Sequence, residues 1–330
     1  MEKKQIAIKL FLIKFRGPVE DAETMGRGEG LLRGCVLSLC VLMVASGGVI
    51  KDGAMPDPFR RILREFTPAM QGNDVIILQH LLNRSSSETS LVATGLYDKA
   101  TVEAVVNFQH LHKPSSEKGV FGANEAIALL ECCSDDGYTD DGIPARVKGY
   151  MYKVHVKVNQ NRSFEHNATL YDADGGYLFS FRVRLHGHSS VVKNTTWPSY
   201  TTDVGRNQFS SGGNTPTGLM SFDLNSPEDV PKLYGPYPVN RAVAGLEGNA
   251  KFLLPHIRNG ILMHTGEWPG WHAPESMPNS AGCIHSWPAN IKSVWNILVG
   301  KLGVVVHKNT NGKTPYPYKP QGLLSVEQIR

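Results

Sequence analysis

The feature that most limits how this 330-residue chain can fold is a change of hydrophobic period between residues 133 and 150. Before the change, apolar residues recur at three- and four-residue steps. In 74-DVIILQHLL-82 they fall at Val75, Leu78, Leu81 and Leu82, the stripe of an amphipathic helix. In 95-GLYDKATVEAVVNFQHLH-112 the same stripe runs through Val102, Val105, Val106 and Phe108. Asp74 and Asp98 stand where N-caps belong. The segment 119-GVFGANEAIALLECC-133 opens as 95-GLYD does, with glycine, aliphatic, aromatic, then a helix start. A compact three-helix module over 64–133 is predicted. After the change the period is two. Both 152-YKVHVKV-158 and 177-YLFSFRVRL-185 alternate, with 172-DADGG-176 as the turn between strands. The acidic run 134-SDDGYTDDGIP-144 carries neither period and marks a linker over 134–149. The fold class is therefore a small all-α module followed by a mainly β domain over 150–310, with an irregular tail over 311–330.

Within the β domain, 212-GGNTPTGLMSFD-223 is a Gly/Pro-rich entry into a strand, and 233-LYGPYPVNR-241 reads as a substrate-side loop. A strand over 260-GILMHTG-266 carries His264 at its end. Pro288 opens a helix over 288–299, and 302-LGVVVHK-308 reads as the closing strand.

A hydrophobic content of 41% is ample for a sizeable core. The net charge of +4 comes from scattered Lys and Arg, which argues against nucleic acid as a partner. Arg27 and Arg33, the apolar run 34-GCVLSLCVLMVA-45 and the small residues 45-ASGG-48 give residues 1–47 the layout of an N-terminal extension with a secretory signal peptide or signal anchor. Met25 as the start would give that run an ordinary signal length. A secreted or extracytoplasmic location follows, with sequons at Asn83, Asn161, Asn167 and Asn194 open to glycosylation. Cys35 and Cys40 belong to the signal region, which leaves Cys132, Cys133 and Cys283. Cys132 and Cys133 can be joined to each other, free, or paired with another chain. No Cys/His spacing resembles a zinc site, so no metal is expected.

The richest chemistry lies in 264-HTGEWPGWHAPESMPNSAGCIHSW-287. A cysteine attacks as the thiolate and needs a base or a positive environment to form it. Gly282 lets the backbone come close to a substrate, and the N–H groups of Gly282 and Cys283 are suited to a developing oxyanion. These residues alone make Cys283 a candidate nucleophile and no more. Trp268 and Trp271 read equally as groove walls that stack on substrate or as pins for a long loop, and His272 as a loop residue.

Two resemblances sharpen this. The series Gly72, Asp74, Val75, Leu78, Gln79, Leu82, Gly95, Tyr97, Asp98, Thr101, Ala104, Val105, Phe108, Gln109, Gly119 and Gly122 resembles the type 1 peptidoglycan-binding domain, with Glu125 where the second half commonly repeats Thr101. In the β domain, 264-HTG and 280-SAGC, with 15 residues between His264 and Ser280, resemble the signature of the L,D-transpeptidase (YkuD-type) catalytic domain, and 215-TPTG-218 matches a motif common upstream in it. The resemblance implies Cys283 as nucleophile, His264 as general base, the Thr265 carbonyl as the group that orients it, and Gly282 as an oxyanion donor. It places Ser280, Ala281, His285, Thr215 and Thr217 around the substrate, with Trp268 and Trp271 the candidate groove walls already named. Ala281 replaces the family's usual histidine, and His285 stands where arginine or asparagine is common. The implied activity is peptidoglycan crosslinking through a thioester without cofactor, on peptidoglycan or muropeptides, with attachment to the cell wall. Carboxypeptidase or wall-degrading action, and a catalytically weak wall-binding protein, are the alternatives.

Overall fold

The computed structural model describes residues 55–86, 90–112, 117–188, 204–267 and 276–329. The signal segment, Asn194, Trp268, Trp271 and His272 lie outside the described residues.

Three helices form first: α1 (Asn73–Ser85), α2 (Lys99–His112) and α3 (Ala123–Cys132). Their apolar stripes, including Val75, Leu78, Leu81, Val105, Phe108 and Leu129, make one buried cluster. That cluster also takes in Phe59 and Leu63, so the helical core extends upstream of residue 64. Asp98 caps α2, its carboxylate accepting the Thr101 N–H at 2.9 Å. Asp74 does not cap α1. The helix begins after Gly72, and Asp74 sits in its first turn, paired with Arg61 at 2.8 Å. The repeated glycine unit has a physical basis. Gly95 (φ +75) and Gly119 (φ +73) both turn left-handed, and each N–H is accepted at 2.9 Å by a glutamine carbonyl from the preceding helix, Gln79 and Gln109. At the third helix start Glu125 replaces threonine and accepts the Gly122 N–H at 2.9 Å.

The remainder is a closed eight-stranded barrel. Its strands are β1 (Tyr152–Val158), β2 (His166–Asp172), β3 (Tyr177–Arg184), β4 (Gly218–Asn225), β5 (Val239–Gly245), β6 (Leu262–His264), β7 (Ile284–Ser286) and β8 (Gly322–Gln328), hydrogen-bonded in the order β1-β2-β3-β7-β6-β5-β4-β8. Pairs β1/β8 and β6/β7 are parallel, and the rest antiparallel. Val154, Val156, Leu170, Val183, Phe222, Met263, Ile284, Leu324 and Val326 fill the core. Short helices α4 (Pro231–Tyr234) and α5 (Gly248–Leu253) flank β5, and α6 (Pro288–Asn296) follows β7. The expected loop over 233–241 thus becomes the end of α4 and the start of β5.

Two expectations near the C-terminus reverse. Residues 302–308 form no strand beyond one bridge, Asn225 with His307. The Val305 N–H and C=O instead bond the Gln321 side-chain amide at 2.9 and 2.8 Å, so a side chain takes the place of a neighbouring strand. The tail over 311–330 is not irregular throughout, because it supplies β8. The approach to β8 is fixed by Asp223, a fully buried carboxylate on β4. It lies 2.6 Å from His307 Nδ1, accepts the Gln321 N–H at 3.0 Å, and also takes the Tyr316 hydroxyl.

The helical core and the barrel share a seam. Phe209 and Leu253 of the β domain pack into the helical cluster. Gln208 donates to the Ser134 carbonyl at 2.9 Å, and Arg206 pairs with Asp57 at 2.8 Å. Cys132, Cys133 and Cys283 are all free thiols. Asn83 holds Leu91 with both halves of its amide, at 2.8 and 2.6 Å, so that amide nitrogen is already engaged in the fold.

Ending the chain at residue 310 removes Leu323, Leu324 and Val326, all fully buried. At about 1.5–3 kcal/mol each this approaches the whole net stability of a domain, roughly 5–15 kcal/mol. The truncated chain is expected to lose its barrel, read as loss of cooperative unfolding by circular dichroism. A truncated chain that still melts in one sharp transition would contradict the role given to β8.

Candidate active site

The parallel pair β6/β7 brings the two halves of the motif together. Met263 is opposite Ile284 and His264 opposite His285. Cys283 precedes β7 by one residue, which places its Cα about 8 Å from that of His264 at ordinary strand spacings.

His264 is buried, and its Nδ1 lies 2.6 Å from the Thr265 carbonyl. A carbonyl only accepts, so Nδ1 carries the proton and Nε2 is the basic nitrogen. Burial pushes this imidazole down to about 4, against a smaller upward pull from the Thr265 carbonyl. Two rings wall it in: Tyr234 at 5.0 Å and His285, edge-on, at 4.8 Å. His285 is itself buried, with Nδ1 2.9 Å from the Pro278 carbonyl. Burial, and then the neighbouring His264, hold it well below the ordinary histidine value.

Cys283 is partly exposed, and its sulfur lies 3.5 Å from the Gly260 carbonyl. No hydrogen bond joins it to His264 in this state. Burial raises the thiol, while the Leu262 N–H and the cations Arg258 and Arg241 pull it down. The resting pair is therefore a neutral thiol and a neutral imidazole, and the proton must move during the reaction.

The turn that presents Cys283 is held from three sides. The Ser280 hydroxyl lies 2.7 Å from the Cys283 carbonyl and accepts the Gly282 N–H at 3.0 Å. The Thr215 hydroxyl donates to the Gly282 carbonyl at 2.9 Å. Gly282 turns at φ +104, and a Cβ there would sit 2.0 Å from Arg258 Nη2 and 2.7 Å from the Gly213 carbonyl. The position accepts only glycine.

Several expected site residues thus gain a definite place. Thr215 and Ser280 are buried props of the turn. The Gly282 N–H is spent on Ser280, so the oxyanion donor expected from Gly282 is not available. Ala281 is exposed, and its carbonyl accepts from Arg258 at 3.1 Å. Thr217 is not at the site. It is fully buried and bonds Asp136 of the linker at 2.8 Å, joining the two halves of the chain. Tyr234 and Arg258 were not singled out from sequence. Tyr234 lies in the stretch read as a substrate-side loop. Arg258 carries no local signal.

Residues 71–128 match the family described as putative peptidoglycan binding domain. The helical module therefore points to peptidoglycan as the partner. No curated protein matches the chain. A solved structure titled L,D-transpeptidase (Yku) from Stackebrandtia nassauensis aligns at 14% identity, covering 75% of this chain and 94% of that one, with a TM-score of 0.26. A superposition that loose carries no argument.

His166, whose Nε2 accepts the Asn159 N–H at 3.1 Å, is also held down to about 4 by burial and then by Arg162, Arg182 and Arg184. In the unfolded chain both His166 and His264 take up protons below about pH 6.5. Folded, they stay neutral to about 4. Between those values the unfolded state binds more protons, so stability falls as pH falls. The urea midpoint is expected to drop between pH 6.5 and 4, and less steeply in a H166N variant. A flat midpoint across that window would contradict the neutral assignment.

Proposed function

We propose that this protein is a cysteine-dependent acyltransferase of peptidoglycan stem peptides, an L,D-transpeptidase that forms its thioester on Cys283. The observation that carries the reading is the Thr265 carbonyl on His264 Nδ1, which leaves Nε2 as a base on the strand beside the cysteine. The peptidoglycan-binding match of the helical module supports the substrate class.

In the proposed reaction the Cys283 thiol gives its proton to His264 Nε2 as sulfur attacks. The attacked carbonyl joins the diamino acid at stem position three to a terminal D-alanine. The C–N bond breaks, His264 returns the proton to the leaving amine, and the thioester remains. An amine from a second stem then attacks the thioester carbonyl, the C–S bond breaks, the amine proton passes through His264 to the sulfur, and a 3→3 crosslink forms. Water in place of the amine gives carboxypeptidase action. The second reading, a wall-binding protein with an idle thiol, is favoured by one observation: the thiol rests on the Gly260 carbonyl rather than on His264. The proposed enzyme acts outside the cytoplasm, at the cell wall.

Muropeptides incubated with the protein and analysed by mass spectrometry separate these readings. Crosslinked dimers are expected with the wild-type chain, none with C283A, and a rate about 10²–10⁴-fold lower with H264A. Loss of D-alanine without dimers would make the enzyme a carboxypeptidase. Identical products from C283A, or binding without turnover, would remove the transferase reading.

The base works only when neutral, so activity is lost as pH falls through the folded pKa of His264, about 4. The acid limb of kcat/KM is expected there. A limb near 6.5, the ordinary histidine value, would show that the imidazole is not held down.

A further inference from the structure

The guanidinium of Arg258 is buried, and its Nη groups donate to four backbone carbonyls. Nη1 donates to Gln208 and Asn214 at 2.8 and 2.6 Å, and Nη2 to Gly213 and Ala281 at 3.0 and 3.1 Å. Among the described residues no carboxylate pairs with it. A buried cation without a counter-ion is costly, because carbonyl dipoles replace only part of its hydration. A fixed buried cation lowers the cost of forming an anion next to it.

The geometry identifies that anion. Arg258 Nη2 lies 2.0 Å from where a Cβ on Gly282 would stand, directly against the turn that ends in Cys283. The other charged and titratable groups near the thiol do not do the same work. Arg241 is paired with Glu228, so their charges cancel. His264 and His285 are neutral, as is Tyr234, which burial and then Cys283 raise. Arg184 lies on β3, opposite His285 in the register. Arg258 is the unbalanced charge beside the sulfur.

We propose that Arg258 is the fixed positive charge of this site, stabilising the Cys283 thiolate by its field while its Nη hydrogens stay on the four carbonyls. It enters from the segment before β6. As the thiol proton passes to His264 Nε2, the new negative charge on sulfur meets the guanidinium without any rearrangement of the turn. Burial lowers Arg258 itself to about 10, so it remains charged at neutral pH. The inference rests on Cys283 being the reacting thiol, as proposed above, but its test uses no peptidoglycan.

The full chain is alkylated across pH 6–10 and the rate at Cys283 read by peptide mass spectrometry. Iodoacetamide reports the pH midpoint of the thiol. In R258Q that midpoint is expected to rise by about one unit or more, and in R258K, which keeps the charge, by less than half as much. The wild-type chain gives a second readout that does not depend on any variant folding. Anionic iodoacetate, relative to neutral iodoacetamide, is expected to react at Cys283 at least about threefold better than with glutathione measured alongside, because a cation draws in the anion. An unmoved midpoint in folded R258Q, equal shifts in R258Q and R258K, or a wild-type ratio no higher than that of glutathione would each overturn the proposal. Dimer formation from muropeptides is scored separately. A shifted midpoint with no turnover would therefore sink the proposed reaction and leave the Arg258 assignment standing.

Discussion

Strand β8 bonds β1 along one edge and β4 along the other, so the end of the chain closes the sheet begun at its start. Without it β1 and β4 would both be open edges, with their backbone groups unpaired. Closure constrains β6 and β7 as well. Each has only three residues, too few to be stable as an isolated pair, and each is held because its neighbours are held. The pair formed by His264, which ends β6, and Cys283, which precedes β7, depends on these two short strands. Its geometry is therefore a property of the whole barrel, anchored at the far side by the buried Asp223 and its contacts to Gln321 and His307.

The site combines two opposite electrostatic choices. Its imidazoles are kept neutral by burial, and His264 and His285 touch edge to face without either bearing charge. Its positive charge is an arginine, a group that burial cannot neutralise at physiological pH. In the proposed reaction the proton acceptor and the charge stabiliser are separate residues, which arrive from different elements. One residue serving both ends would have to gain and lose its charge within a single step.

Much of this was legible in the sequence where the pattern is local. The apolar stripe of α1, the Asp98 cap and the alternation in β1 depend on neighbours in the chain, and each emerged as read, whereas β3 alternates only from Ser180 to Val183. The twofold glycine unit was also visible, although the glutamines that hold it were seen only as part of a family series. What was missed depends on distant contacts. Strand β8 is buried on nearly every residue, so it shows no alternation, and the proline-rich run before it disguises it as tail. The apolar stretch 302–308 looked like a better strand, yet the Gln321 side chain occupies its hydrogen-bonding groups. Asp74 looked like a cap because nothing in sequence shows that Arg61 would claim it. Thr217 shares a motif with Thr215 but points to the linker. Arg258 meets residues 208, 213, 214 and 281, and no spacing rule connects them.

The parallel pairing of β6 with β7 has a consequence for how such a site can change. His264 ends one strand and Cys283 precedes the other, so their separation is fixed by two rungs of a ladder and not by the residues that join them. Thr265 at one end of the connection orients His264, and Ser280 and Gly282 at the other hold the turn of Cys283, so these positions are fixed together with the ladder. In the proposed enzyme the spacing of base and thiol thus belongs to the sheet, so a change of register between β6 and β7 would alter it without touching either residue.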